Sequence, residues 1–183
     1  MITITAHMVA SLDGFIAKAD NSISWLETSD VYEPGRTLSQ AETETFLQSI
    51  DCYIMGANTY QQALALEKEY GWAYGEKPTI VLTHQNWRTD KANVHFYSGD
   101  IQALLNNHLK ARYRNLWLVG GAKLLKAFMQ LQLVDELRVT VLPILLGGGL
   151  PFFDPMGQEQ ALHLVSVTPY KNGMVELHYQ VKR

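Results

Sequence analysis

Between residues 116 and 153 the hydrophobic pattern changes period twice. Residues 116–119 (Leu-Trp-Leu-Val) form a short apolar run that stops at Gly120-Gly121. Leu124, Leu125, Phe128, Leu131 and Leu133 then recur mostly at steps of three and four, and residues 137–142 are apolar and β-branched. The pattern predicts strand, glycine turn, helix and second strand. That is a βαβ unit, with parallel strands in one sheet and a right-handed crossover. Ligands of such sheets gather at the carboxyl ends of the strands, where Gly120-Gly121 lies. Glycine lets a ligand approach the backbone, and a helix start offers free N–H groups to an anion. Taken alone, the pair reads equally well as a tight turn.

The rest of the chain repeats this grammar. Residues 2–10 alternate and then become apolar, a first strand, and run into Ser11-Leu12-Asp13-Gly14. Asp13 reads either as a turn residue bonded to its own backbone or as a ligand-facing carboxylate. Residues 20–35 are polar and aperiodic around Trp25, which is either a plug over the core or part of a functional loop. Ser39 with Glu42 three residues on is a capping box, starting a helix that runs to about Ser49 with Phe46, Leu47 and Ile50 inward. A strand over 51–55 meets Gly56-Ala57-Asn58-Thr59 and a helix over 60–69. Asn58 or Thr59 caps that helix, or its free N–H groups hold a phosphate. Strands follow at 79–82, ending at Thr83-His84, and at 94–97. A helix over 101–109 is capped by Asp100. Asn172-Gly173 joins strands over 162–168 and 174–181 into an antiparallel hairpin.

Composition narrows the function. The 183 residues suit one domain, 1–183, and 47% hydrophobic content suits a globular one. A net charge of −3 gives no basic field for nucleic acid. Cys52, the one cysteine, excludes an intrachain disulfide, and it lies in an apolar run as an inert buried thiol does. The six histidines are scattered without i, i+4 spacing, so no metal site is expected. No apolar run reaches the roughly 20 residues of a membrane span, and no signal segment opens the chain. A cytoplasmic protein is expected.

Four motifs occur in order: Ser11-Leu12-Asp13-Gly14-Phe15-Ile16-Ala17; Met55-Gly56-Ala57-Asn58-Thr59-Tyr60; Val119-Gly120-Gly121-Ala122-Lys123-Leu124; and Leu133-Val134-Asp135-Glu136-Leu137 with Pro143-Ile144-Leu145-Leu146-Gly147-Gly148-Gly149. In this order the chain resembles the dihydrofolate-reductase-like superfamily. Within it the chain is most similar to the C-terminal reductase domain of the bifunctional riboflavin-biosynthesis deaminase/reductase and its stand-alone relatives. The resemblance covers nearly the whole chain.

It implies a three-layer α/β/α fold with a mainly parallel sheet ending in an antiparallel hairpin. It also implies NADPH (NAD second) as cofactor, a pterin- or pyrimidine-like substrate and a homodimer. The narrowest activity it implies is that of a 5-amino-6-(5-phosphoribosylamino)uracil reductase. A binding protein that kept the fold and lost the reaction is the alternative. By the same resemblance Gly56, Ala57, Asn58 and Thr59 meet cofactor phosphates, and Thr83 and His84 lie near the adenosine ribose. Gly120, Gly121, Ala122, Lys123 and Leu124 cradle the pyrophosphate across a cis Gly120–Gly121 bond. Asp13, Trp25, Gly147 and Gly148 border nicotinamide and substrate. Ala57 replaces the basic residue of true dihydrofolate reductases, leaving Arg88 or Lys123 as cations for a 2′-phosphate. Glu42 is the candidate acid, with Glu27 and Asp30 as rivals, although capping explains Glu42 fully.

Overall fold

The computed structural model describes residues 2–183. Its strands are β1 (Thr3–Ser11), β2 (Phe15–Ala17), β3 (Cys52–Gly56), β4 (Thr79–Leu82), β5 (Val94–Tyr97), β6 (Asn115–Gly120), β7 (Glu136–Leu142), β8 (Leu150–Pro151), β9 (Leu162–Pro169) and β10 (Val175–Val181). The helices are α1 (Gln40–Ser49), α2 (Ala57–Tyr70), α3 (Ile101–Leu104) and α4 (Ala122–Gln130). Helix α3 continues as a π-helical turn over Leu105–Leu109, where a regular helix is expected from the apolar spacing.

Eight strands form one sheet in the order β5-β4-β3-β6-β1-β7-β10-β9. From β5 to β7 every neighbouring pair is parallel, and the β10 and β9 pairings are antiparallel. The expected parallel sheet with its closing hairpin is therefore present. So is the βαβ unit, with β1 inserted between β6 and β7.

Alternation along the central strands sends side chains to two faces. Ile4, Ala6, Met8 and Ala10 of β1 pack with Leu116 and Leu118 of β6 against Leu104, Leu105 and Leu109 and against Leu125, Phe128 and Met129 of α4. Each fully buried leucine, isoleucine or phenylalanine side chain among these contributes about 1.5–3 kcal/mol of hydrophobic stabilisation. On the other face α2 covers Met55, Val81 and Val94 through Tyr60. Helix α1 lays Phe46 against His7 and Trp117, at ring separations of 5.4 Å in both cases. Helices thus cover both faces, giving three layers. Leu131 and Leu133 lie past the end of α4 instead of on its stripe, and Leu131 is exposed.

The capping box at α1 is only half made. Ser39 Oγ accepts from the Glu42 N–H (3.4 Å), but the Glu42 carboxylate takes its bond from Arg36 (2.6 Å). Lys77 closes the other end of α1, donating to the carbonyls of Leu47, Gln48 and Ile50, where a helix dipole favours a cation.

Candidate functional site

Two glycine turns meet where β3 and β6, neighbours in the sheet, release the chain into helices. Gly56 ends β3 and Gly120 ends β6, and α2 and α4 start at Ala57 and Ala122. A Cβ on Gly56 would lie 3.8 Å from the Gly120 carbonyl oxygen, and one on Gly121 would lie 3.7 Å from Thr59 Oγ1. The Gly120–Gly121 peptide is cis, as the family resemblance implies.

Asn58 and Thr59 do not cap α2. The N-caps are Gly56 for α2 and Gly121 for α4, and neither makes a side-chain cap. Helices α1 and α3, by contrast, are capped by Ser39 and Asp100. The first N–H groups of a helix have no intrahelical partner, so two uncapped starts side by side leave a cluster of donors. Leu124 is withdrawn from it: its N–H donates to Gly121 O (3.0 Å) and its side chain packs on the core. Ala122 is half-buried beside the turn, while Asn58 and Lys123 are exposed.

Further elements extend this row on both sides. Past β4, Thr83 is buried and its Oγ1 accepts from the Gln85 N–H (3.1 Å), while His84 and Arg88 are exposed. On the other side β1 ends in Ser11, and Asp13 follows. Asp13 Oδ1 accepts from Ser11 Oγ (2.6 Å) and from the Leu146 N–H (3.0 Å), and Oδ2 accepts from the Gly147 N–H (2.7 Å). The Ser11 hydroxyl, with the Leu146 and Gly147 amides, holds this carboxyl below its usual range. To the two readings of Asp13 the structure adds a third role: its carboxylate is a clamp between β1 and the segment that carries Gly147 and Gly148.

Beyond β1, at the carboxyl end of β7, an open cavity of about 370 Å³ is lined by Trp25, Glu27, Thr28, Ser29, Asp30, Leu142, Pro143 and Ile144. Small-molecule sites span about 300–1,000 Å³. Trp25 is 4% exposed, so it serves both as core plug and as cavity wall. The carboxyl ends of β4, β3, β6, β1 and β7 thus form one row. With strands about 4.8 Å apart, the row is about 19 Å long.

Glu42 stands outside this arrangement. It is an exposed partner of Arg36 and does not line the cavity, whereas its rivals Glu27 and Asp30 do. Those two lie in an aperiodic loop, where the family resemblance rather than any local pattern makes them rivals of Glu42. Asp30 lies against the closing hairpin: Gly173 has φ +78°, and a Cβ on it would collide with the Asp30 carboxylate. No helix among the described residues is long and apolar enough to cross a membrane.

The family model for the RibD C-terminal domain matches residues 2–176. YwjB of Bacillus subtilis (strain 168) is 31% identical over 173 residues, covering 94% of each chain. A protein from Shewanella sp. PV-4 named for riboflavin biosynthesis shares the fold over the full length of both chains, with TM-score 0.83 and 23% identity. The Thermotoga maritima diaminohydroxyphosphoribosylaminopyrimidine deaminase/5-amino-6-(5-phosphoribosylamino)uracil reductase shares it at TM-score 0.70 and 14% identity. That match takes 99% of this chain and 57% of the longer one. Dihydrofolate reductase from Enterococcus faecalis, solved with NADP(H), shares it at TM-score 0.65 and 15% identity, over 99% and 97% of the two chains. The fold is dihydrofolate-reductase-like.

Proposed function

This chain belongs to the RibD C-terminal domain family, and we propose that it acts as an NAD(P)H-dependent reductase of a small pterin- or pyrimidine-like molecule. One observation carries the reading. Two uncapped helix starts converge on Gly56, Thr59, Gly120 and Gly121, two strands from the cavity at the end of β7. Backbone N–H groups and helix dipoles at such a point suit a pyrophosphate. Gly56, Thr59, Gly120 and Gly121 would hold the middle of a dinucleotide, with Thr83 and His84 available to its adenosine half and the end of β1 to its nicotinamide half. The exposed Arg88 and Lys123 are the cations for a 2′-phosphate, and NADPH is the preferred cofactor.

The cofactor supplies the hydride, and the protein supplies position and electrostatics. Trp25, Leu142, Pro143 and Ile144 would hold the substrate ring in the cavity to receive that hydride, and a proton from solvent or a side chain would complete the reduction. Asp13 does not donate that proton, because three donors already stabilise its ionised form. It positions the loop carrying Gly147 and Gly148 at the cavity's edge. With Asp13 engaged in this clamp and Glu42 paired to Arg36 outside the cavity, the alternative is a binding protein without turnover.

Turnover separates the two. With NADPH and a panel of oxidised pterins and pyrimidines, a reductase consumes cofactor in step with one substrate. Cofactor binding with no consumption across the panel would leave the binding protein.

A further inference from the structure

The T. maritima relative is named for a phosphoribosylated substrate. A cavity for such a molecule needs cations, and arginine is the residue best shaped to grip phosphate. The eight residues lining this cavity include no lysine, arginine or histidine, and two of them, Glu27 and Asp30, are carboxylates. Lys18, at the start of the same loop, is turned to Ser24 Oγ (3.1 Å) and is not part of the lining. Thr28 and Ser29 add hydroxyls, and Leu142, Pro143 and Ile144 add an apolar wall. Trp25 contributes an indole whose buried Nε1–H has no hydrogen-bond partner in the protein. The Asp30 carboxylate lies against Gly173 of the closing hairpin.

We propose that the cavity at the end of β7 takes an unphosphorylated, amino-substituted nitrogen heterocycle, neutral or cationic, and rejects phosphorylated ones. The inference rests on the reductase reading for the identity of the cavity as the substrate site. An apolar wall and an indole suit a flat ring. Carboxylates are acceptors only, so they pair with exocyclic amino groups and protonated ring nitrogens. A phosphate brought to the same place meets like charge, and none of the eight lining residues is a cation that could neutralise it. Selectivity here is built as much on repulsion as on attraction.

The test is calorimetric titration of the full chain with 2,4-diaminopyrimidine, cytidine and cytidine 5′-monophosphate, with and without saturating NADPH. Cofactor affinity is measured on the same samples. The expected result is binding of 2,4-diaminopyrimidine, with cytidine 5′-monophosphate at least tenfold weaker than cytidine. The double variant Glu27→Gln/Asp30→Asn should weaken 2,4-diaminopyrimidine at least tenfold, and Glu27→Lys/Asp30→Lys should reverse the preference between the two cytidine ligands. Both pairs sit on an exposed loop, and circular dichroism checks that the fold persists. Cytidine 5′-monophosphate binding as tightly as cytidine would overturn the proposal. So would unchanged 2,4-diaminopyrimidine binding in the Gln/Asn variant, or no binding of any of the three ligands while NADPH binds. Failure of NADPH itself to bind counts against the reductase reading alone, because the titrations without cofactor still report on the cavity.

Discussion

Gly121 and Thr59 face each other across the gap between two helix starts, with a Cβ on Gly121 placed 3.7 Å from Thr59 Oγ1. That is ordinary contact distance, and Gly121 has φ −82°, which any residue adopts. Its neighbour differs. Gly120 has φ +113°, and a Cβ there would stand 2.8 Å from Met8 Sδ. The two glycines therefore have separate reasons to be glycine. Gly120 meets a backbone demand, while Gly121 keeps the space between α2 and α4 open.

Alanine scanning of the pair should separate these roles. Gly120→Ala should cost about 1–3 kcal/mol of stability, mostly from the backbone conformation, since the Met8 side chain can shift. Gly121→Ala should cost less than about 1 kcal/mol. Urea denaturation of both variants measures the difference, and equal costs would contradict the assignment.

Asp13 ties β1 to the Leu146–Gly147 segment through an exposed carboxylate. Asp13→Asn places an amide, half donor, against two backbone donors. We expect faster hydrogen exchange at the Leu146 and Gly147 amides with little change in global stability. Because the folded pKa of Asp13 is lowered, the clamp holds above the ordinary carboxylate range and fails as pH falls through the folded value. Unchanged exchange rates in the variant would remove Asp13 from this role.

His7 lies beneath α1 in a polar patch of the sheet, stacked on Trp117 at 5.2 Å with Nε2 3.4 Å from Thr140 Oγ1. Arg138, His178, Glu136 and Glu176 share the patch, and Glu176 stands 3.9 Å from His7. Burial, then the charges of Arg138 and His178, lower the His7 pKa from 6.5 to about 4. The unfolded chain binds the proton first, so stability should rise with pH from about 4 to 6.5. At about 1.4 kcal/mol per unit, the drop from 6.5 to about 4 bounds the effect at about 3 kcal/mol. His7→Phe keeps the stacking and should flatten that slope in denaturation curves taken across the window.

Glu42 and Arg36 form an ion pair whose side chains are 56% and 61% exposed. Such pairs are worth about 0–1 kcal/mol. Glu42→Gln should change stability by less than about 1 kcal/mol and leave ligand affinity as it was, whereas Glu27→Gln should not. Loss of turnover in Glu42→Gln alone would return Glu42 to the site.

Local chemistry made much of this legible. Ser39 and Asp100 announce their helices, and Asn172-Gly173 announces its hairpin, because each signal needs only neighbouring residues. The β6–α4–β7 unit is legible from its change of period. Strands β2 and β8, of three and two residues, are too short to carry a period, and they exist because Phe15 and Ala17 pair with Pro151 and Leu150 far along the chain. The cavity lining is legible only in part: the family resemblance points to Trp25, Glu27 and Asp30, but nothing local joins them to Leu142, Pro143 and Ile144. Glu27 and Asp30 acquire their place from the end of β7 and from Gly173, which no pattern within the loop encodes. Glu42 shows the converse error: a complete local motif was present, yet its carboxylate went to Arg36.

The measurement that bears most directly on the whole account is a fluorescence titration of the protein and its Gly121→Val variant with NADPH and NADH. The account predicts that the wild-type chain binds NADPH more tightly than NADH. It also predicts that a branched side chain between α2 and α4 abolishes binding while circular dichroism shows the fold intact. Failure of the wild-type chain to bind either cofactor, or unchanged affinity in Gly121→Val, would contradict it.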